Sequence, residues 1–276
     1  MSQPAQARAN YCYRHPDRQS YVLCQRCGRT VCPECQTPGA VGVFCPECMR
    51  QQRATAPKVK PAILTRLTGS GSPVATYAII AVCVLVFIAQ QIPGVTNDLI
   101  YAGFFSQKGS FEPWRMLTSV FAHESILHIA LNMYTLLIFG VILEPLVGHI
   151  RFVALFLISG LGGSVGVLLL ANPQQPVLGA SGAIFGILGA FFVIQRRLGG
   201  GANIQLLVLI GINLVIGFIP GFGIAWQAHL GGLVVGALIG LIFVETRARS
   251  RQPLQIGLLS ALTVVLIVVG CWPALT

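Results

Sequence analysis

The sequence contains seven apolar stretches, each near the length that crosses about 30 Å of hydrocarbon as a helix. They cover residues 74–92, 118–143, 152–171, 181–195, 203–219, 226–244 and 255–272. Because 54% of the residues are hydrophobic and only 9% are charged, the composition excludes an ordinary soluble domain. We therefore expect an all-α, polytopic membrane helix bundle with seven spans.

The positions of the positive charges indicate the orientation of these spans. Ten of the 18 lysines and arginines precede the first span, and six more follow the second, fourth and sixth spans. Since cations are enriched on the cytoplasmic side, we expect a cytoplasmic N-terminus, outward-facing loops at 93–117, 172–180 and 220–225, and residence in the plasma membrane. The net charge of +10 follows from this asymmetry and is not interpreted as nucleic-acid binding.

Seven cysteines and one histidine near the N-terminus form four pairs with the same spacing. The pairs are Cys12/His15, Cys24/Cys27, Cys32/Cys35 and Cys45/Cys48. Two intervening residues let both side chains of a pair reach one tetrahedral ion, so eight ligands predict two closed, structural zinc sites. Disulfides are the alternative, but they conflict with a reducing cytoplasm.

Residues 12–50 resemble a B-box-type zinc finger. The resemblance implies that the first pair shares a metal with the third and the second with the fourth, whereas the spacing alone leaves this pairing open. We expect the finger to bind a cytoplasmic protein partner. Residues 1–11 are interpreted as a tail and residues 51–73 as a basic linker that can touch anionic lipid headgroups.

Polar residues inside the spans are functional candidates because they are costly in hydrocarbon. Ser181, His229 and His128 each lie 15 or 16 residues from a charged end of their helix, at Arg196, Glu245 and Glu144. At 1.5 Å per residue, all three lie about 22–24 Å from that end and therefore at one depth. Taken singly, each could be a structural residue whose polar atoms bond within the bundle.

Glycines predict that two of these residues can meet. Glycines follow Ser181 at positions 182, 186 and 189, and others follow His229 at 232, 236 and 240. Such stripes let two membrane helices approach closely. If the stripes face each other, the Ser181 hydroxyl lies within reach of the His229 imidazole, as a nucleophile with its base.

The remaining polar residues suggest how a developing negative charge is stabilised. No acidic residue falls at the right depth to complete a triad, so we expect a Ser–His dyad. His128 and Asn132 lie four residues apart on one face of the second span, which at 118–143 also contains His123. Together with the Ser181 backbone N–H at a helix start, they would form an oxyanion hole.

These residues together resemble the rhomboid family of intramembrane serine proteases. The resemblance rests on H-x4-H-x3-N at His123, His128 and Asn132, on G-x-S-G at 179–182, on A-H-x-x-G-x-x-x-G at 228–236, and on Trp114–Arg115. It covers residues 74–246 and implies a six-helix core that cleaves membrane-anchored substrates in or near their transmembrane segments, without a cofactor for catalysis. It does not extend to the zinc finger or to residues 247–276, which hold the seventh span.

Carried over by position, the resemblance makes Ser181 the nucleophile and His229 the base, with His128 and Asn132 at the oxyanion. His123, Gly179 and Ala180 become pocket residues, with the Ala180 N–H as a further oxyanion donor. A catalytically inactive rhomboid-fold protein that binds membrane clients is the first alternative. A transporter is the second, although the sequence shows no inverted repeat.

Overall fold

The computed structural model describes residues 10–39, 42–55, 72–199, 204–217 and 224–276. The chain divides into two compact units, Met1–Ala62 and Ile63–Thr276, which are described separately.

The N-terminal unit is built around its cysteines. It contains a 3-10 turn at Pro33–Cys35, strand β1 (Thr37–Pro38) paired antiparallel with strand β2 (Val43–Phe44), and helix α1 (Pro46–Thr55). Its buried cluster consists of six cysteines with Val31. A unit with so few buried apolar side chains needs another source of folding free energy. Helix α1 continues five residues into the predicted linker, and the rest of the linker from 56 to 71 lies outside the described residues.

The second unit is helical. Its apolar helices are α2 (Val74–Ala89), α5 (Ile126–Val147), α6 (His149–Leu170), α7 (Ser181–Arg197), α8 (Ile204–Ile216), α9 (Trp226–Glu245) and α10 (Gln252–Leu275). Between α2 and α5 the chain forms the short helices α3 (Val95–Leu99) and α4 (Arg115–Thr118) and a 3-10 turn at Gly103–Ser106. Among the described residues, four helices are long and apolar enough to span a membrane, namely α5, α6, α9 and α10. The predicted helical membrane bundle is confirmed.

Helices α6, α7 and α9 form the centre of this bundle, and glycines bring their backbones into contact. A methyl group at Gly232 or Gly236 on α9 would overlap the backbone of Gly182 or Gly186 on α7. One at Gly163 on α6 would lie 3.4 Å from the Gly182 Cα atom. Without water to drive apolar surfaces together, membrane helices gain stability from such close packing. The two stripes predicted to face each other do so.

Helix α5 begins later than the second predicted span. It starts at Ile126, where the Ser125 hydroxyl accepts a hydrogen bond from the His128 N–H at 3.2 Å and caps the first turn. His123 therefore precedes the helix, and the expectation that it belongs to the same helix as His128 is wrong.

A buried carboxylate joins α5 to the start of α2. Glu144 is fully buried, and its oxygens accept hydrogen bonds from the N–H of Ala75 at 2.8 Å and from the N–H and hydroxyl of Thr76 at 2.7 and 2.6 Å. His149 lies 2.5 Å from the same carboxylate. Glu144 thus satisfies backbone donors that α2 cannot pair internally. The charged residue that marks this end of α5 is therefore buried and structural.

The seventh apolar helix, α10, is joined to the others by polar side chains at one end. Arg151 of α6 donates to Gln255 at 2.6 Å, and Gln255 donates to the Thr246 hydroxyl at 2.7 Å. Toward the other end, Gly270 lies against Met116, because a methyl group there would come within 2.7 Å of the Met116 sulfur. These contacts fix α10 beside α6 and beside α4.

We predict that Glu144→Gln lowers the stability of the bundle by about 1.5–3 kcal/mol, because an amide in place of the carboxylate loses charge-assisted bonds and turns a donor toward donors. Thermal unfolding of the detergent-solubilised protein measures the change. Glu245→Gln is the control, since that half-exposed residue has one ion pair at 3.5 Å and should change stability by less than about 1 kcal/mol. Equal midpoints for both variants would contradict this role of Glu144.

Candidate functional site

The loop before α7 is held in place by backbone hydrogen bonds. Val177 and Tyr101 exchange two of them, at 3.0 and 2.7 Å, and the Gly179 N–H donates to the Ser119 carbonyl at 2.9 Å. Gly179 has a φ of +130°, a conformation that side chains other than glycine rarely adopt. The loop therefore enters α7 in one defined conformation, with Ala180 buried beside Ser181.

Ser181 is the first residue of α7, and its side chain is half-buried. The first N–H groups of a helix have no acceptor within the helix. Over the described range, no backbone carbonyl accepts from the Ser181 N–H. The residue therefore presents a hydroxyl and an unpaired N–H donor at the positive end of a helix dipole.

His229 lies in the first turn of α9 and is buried. Its ring stacks on Phe185, with ring centroids 4.2 Å apart and an interplanar angle of 11°. Its Nδ1 atom has no hydrogen-bond partner, and no hydrogen bond joins the ring to Ser181 among the residues that the structure describes. The aromatic stack restricts the ring orientation while leaving its nitrogens free.

Contacts at both ends of α7 and α9 place Ser181 and His229 at one level. Next to the serine, a methyl group at Gly182 would lie 3.2 Å from the carbonyl oxygen of Ala228. At the opposite end, Arg197 forms an ion pair with Glu245 at 3.5 Å. These two residues each lie 16 positions after Ser181 and His229. Two parallel helices in contact along this length bring both residues to the same end of one shared interface.

His128 lies on the other side of the serine loop. A methyl carbon placed on Gly179 would lie 2.8 Å from His128 Nε2 and 3.8 Å from Ser181 Oγ. The imidazole and the hydroxyl therefore flank one point beside Gly179, which only a glycine leaves open. Among the described residues, the His128 ring has no hydrogen-bond partner, so its nitrogens are available to a ligand at that point.

Asn132 is buried one turn after His128. Its side-chain amide donates to the His128 backbone carbonyl at 2.9 Å, which occupies one of its two N–H donors. The second N–H has no partner among the described residues. Asn132 therefore both braces its own helix and retains a donor on the face that it shares with His128.

His123 is a buried neighbour of His128. Its backbone N–H donates to the Gln90 side-chain oxygen at 2.8 Å, and its carbonyl accepts from the Gln90 amide at 3.1 Å. The two histidine rings pack edge to face, with centroids 5.2 Å apart. Gln90 thus fixes the position of His123, and His123 in turn limits where the His128 ring can lie.

Arg115 organises the loop that carries Tyr101. Its guanidinium pairs with Glu112 at 2.5 Å, donates to the carbonyl of Asn97, and lies over the Phe105 ring at 4.2 Å. Arg115 is buried, so each of these contacts offsets the cost of desolvating its charge. The loop that supports Val177, and through it Ser181, depends on this buried cation.

The cysteines and histidine of the N-terminal unit form two separate clusters. One contains Cys12, His15, Cys32 and Cys35, and the other contains Cys24, Cys27, Cys45 and Cys48. Within each cluster, all ligand atoms lie within 4.8 Å of one another. The first pair therefore meets the third and the second meets the fourth, as the B-box resemblance implied, and each cluster could hold one metal ion.

The distances within the clusters fit a tetrahedral ion. Zinc–ligand bonds of 2.0–2.3 Å put two sulfurs about 3.8 Å apart and a sulfur and a nitrogen about 3.5 Å apart. Cys27 and Cys45 are 3.8 Å apart, and His15 Nδ1 lies 3.3 Å from the Cys32 sulfur and 3.4 Å from that of Cys35. The guanidinium of Arg29 beside Cys27 lowers the pKa of that thiol, which favours the thiolate that binds metals.

Two supporting residues were not predicted from the sequence. Phe185 follows Ser181 by four residues and therefore shares its face of α7, which is a signal that the sequence does contain. Gln90 lies just after the end of α2, 33 residues before His123, and no local pattern connects the two.

Part of the helical unit is similar to a known domain family. Residues 110–246 match the family model described as Rhomboid domain. The matched segment includes Ser181, His229, His128 and Asn132. It does not include the N-terminal unit, α2 or α10.

Three relatives show how far the similarity extends. The chain is 37% identical over 144 residues to "RHOMBOID-like protein 6, mitochondrial" of Arabidopsis thaliana, covering 48% of this chain and 44% of the relative. It is 33% identical over 206 residues to Rhomboid protease GluP of Bacillus subtilis, covering 71% and 40%. It is 29% identical over 188 residues to Rhomboid protease GlpG of Haemophilus influenzae, covering 64% and 94%. The chain thus spans less than half the length of the first two relatives, and the three together support the rhomboid family for its helical unit.

Proposed function

We propose that the helical unit is an intramembrane serine endopeptidase that cleaves membrane-anchored substrates in or near their transmembrane segments. The observation that carries the proposal is the backbone contact of α7 with α9, with Ser181 and His229 at the same end of the shared interface. The relatives named as rhomboid proteases support the same reaction class.

In the proposed reaction, Ser181 is the nucleophile and His229 is the base. The serine oxygen attacks the carbonyl carbon of the scissile peptide bond while the imidazole takes the hydroxyl proton. The tetrahedral intermediate collapses, the C–N bond breaks, and His229 returns the proton to the departing amine. Stacking on Phe185 restricts rotation of the His229 ring. The imidazole nitrogen therefore keeps nearly the same position when it accepts the proton and when it donates it.

The negative oxygen of the intermediate would lie at the point beside Gly179. In this proposal the Ser181 N–H and the His128 imidazole donate to this point, and the second amide hydrogen of Asn132, one turn after His128, is a third donor. Donors that are already oriented toward a developing charge lower the barrier because they need not reorganise. The Ala180 N–H is a further donor in this proposal.

Water completes the proposed reaction. Water attacks the carbonyl carbon of the serine ester while His229 takes one of its protons. The C–O bond to Ser181 then breaks, His229 returns the proton to the serine oxygen, and the acid product leaves. No cofactor is needed for any of these steps. The distribution of cations supports an orientation in which the N-terminus is cytoplasmic and the active site opens toward the outer side of the membrane. We propose the plasma membrane as the location of the protein.

For the N-terminal unit we propose two structural zinc ions. Thiolate and imidazole ligands in closed sets of four suit zinc, and the cluster distances above agree with its bond lengths. Bound zinc would supply the folding free energy that the small apolar core does not. The finger so formed is proposed to bind a cytoplasmic protein.

We predict that Ser181→Ala and His229→Ala each abolish cleavage of a reconstituted transmembrane substrate, and that the double variant is no worse, because the pair acts as one unit. Labelling by a fluorophosphonate probe should disappear in Ser181→Ala. Ser159→Ala is the matched control, since this buried serine of α6 has no hydrogen-bond partner among the described residues. The Ser159→Ala variant should cleave and label like the wild-type protein. Wild-type protein that neither cleaves nor labels would favour the inactive client-binding alternative.

Replacement of an oxyanion donor should affect turnover rather than binding. We expect His128→Ala and Asn132→Ala to lower kcat by about 10²–10³-fold and to change KM little. Because His229 would still activate Ser181, slow fluorophosphonate labelling should remain. If His128 and Asn132 only pack α5 against its neighbours, the variants will instead lose thermal stability while the folded fraction keeps its kcat, and measuring both on one preparation distinguishes the two.

The metal proposal predicts two zinc ions per chain by elemental analysis of the purified protein. Cys12→Ser and Cys24→Ser should each remove one, since they belong to different clusters, and Cys271→Ser should remove none. Deletion of residues 1–58 should leave cleavage of a model substrate in detergent near normal. A deletion variant that folds but does not cleave would show that the finger is required for the reaction.

A further inference from the structure

A groove between α7 and α9 takes no part in the proposed reaction. It has a volume of 430 Å³ and is lined by six apolar side chains and two arginines, Arg196 and Arg197. Its nearest lining residue on α7 is Phe192, eleven residues or about 16 Å along the helix from Ser181. The groove is therefore a separate feature at the charged end of the bundle.

The walls of the groove face outward. Val234 and Leu238 of α9 are 50% and 45% exposed, on a helix long and apolar enough to span a membrane. The lining residues of α9 extend from Val234 to Leu241, about 10 Å along the helix axis. In a bilayer, an outward apolar groove of this kind is filled by hydrocarbon, so its natural occupant is a lipid acyl chain.

The two arginines at one end of the groove select the headgroup. Arg197 is partly neutralised by its ion pair with Glu245 at 3.5 Å. Arg196 is exposed and has neither an ion pair nor a hydrogen bond among the residues that the structure describes. The groove therefore has a net positive charge at its arginine end, and guanidinium groups bind phosphate oxygens by paired hydrogen bonds.

We propose that this groove binds one anionic phospholipid, with its phosphate at Arg196 and Arg197 and the upper part of one acyl chain along Val234 and Leu238. A free phosphate would use only the arginines and leave the apolar walls exposed. A zwitterionic lipid would contact the same apolar side chains, but the arginines would repel the cationic group of its headgroup. The lipid contacts the helix of Ser181 and the helix of His229 together, so its binding stabilises their packing.

Native mass spectrometry of the full, delipidated chain titrated with phosphatidylglycerol or phosphatidylcholine tests this proposal. The wild-type protein should bind one phosphatidylglycerol about fivefold more tightly than phosphatidylcholine, the factor that corresponds to about 1 kcal/mol for one cation near a headgroup. Arg196→Gln should remove this preference. Arg247→Gln is the control, because it removes one exposed cation that follows the C-terminal end of α9 and lies outside the groove. This variant should retain the preference for phosphatidylglycerol.

Filling the groove tests the acyl chain separately from the charge. Leu238→Trp and Val234→Trp each place a larger side chain at a half-exposed position of the groove. Each variant should bind both lipids at least fivefold more weakly, without a lower unfolding midpoint in detergent. Millimolar inorganic phosphate should not displace bound phosphatidylglycerol. Equal losses in Arg196→Gln and Arg247→Gln, unchanged binding in both tryptophan variants, or displacement by inorganic phosphate would each overturn the proposal. None of these measurements depends on protease activity.

Discussion

The contact between the backbones of α7 and α9 is the interaction on which the rest of the helical unit depends. At Gly232 and Gly236 the facing backbone leaves no space for even a methyl group. Helix α6 joins the same contact through Gly163, so three helices meet beside Ser181. Because a bilayer gives helices little hydrophobic reason to associate, this packing is what keeps a serine and a histidine from distant parts of the chain together.

Buried polar groups position the segments that the glycine contacts do not hold. Glu144 joins α5 to α2, Arg115 holds the loop that carries Tyr101, and Tyr101 pairs with Val177 just before the serine. Each of these groups would be costly if it were left unpaired in an apolar environment. The network therefore restricts the serine loop to one conformation, and the Gly179 backbone that results opens the space between Ser181 and His128.

Much of this arrangement could be predicted from residue spacing, because a regular helix converts a count of residues into a depth and a face. That reasoning gave the helical bundle and the facing glycine stripes, and the resemblance to a B-box finger gave the pairing of the cysteine clusters. It failed where the backbone leaves the helix. The segment before Ile126 is apolar enough to be read as part of a span, but Ser125 caps the helix there and puts His123 outside it. The Gln90–His123 and Glu144–Thr76 contacts join distant residues that no local pattern relates.

If close approach of α7 and α9 makes Ser181 reactive, Gly232→Ala should slow the reaction of this serine. This variant keeps Ser181, His229, His128 and Asn132, but its added methyl group forces the two backbones apart at Gly182. We expect the rate of fluorophosphonate labelling to fall at least tenfold in this variant. Gly257→Ala on α10, where the added methyl group meets nothing within 4 Å, should label at the wild-type rate. Labelling of folded Gly232→Ala at the wild-type rate would show that the reactivity of Ser181 does not depend on this helix contact.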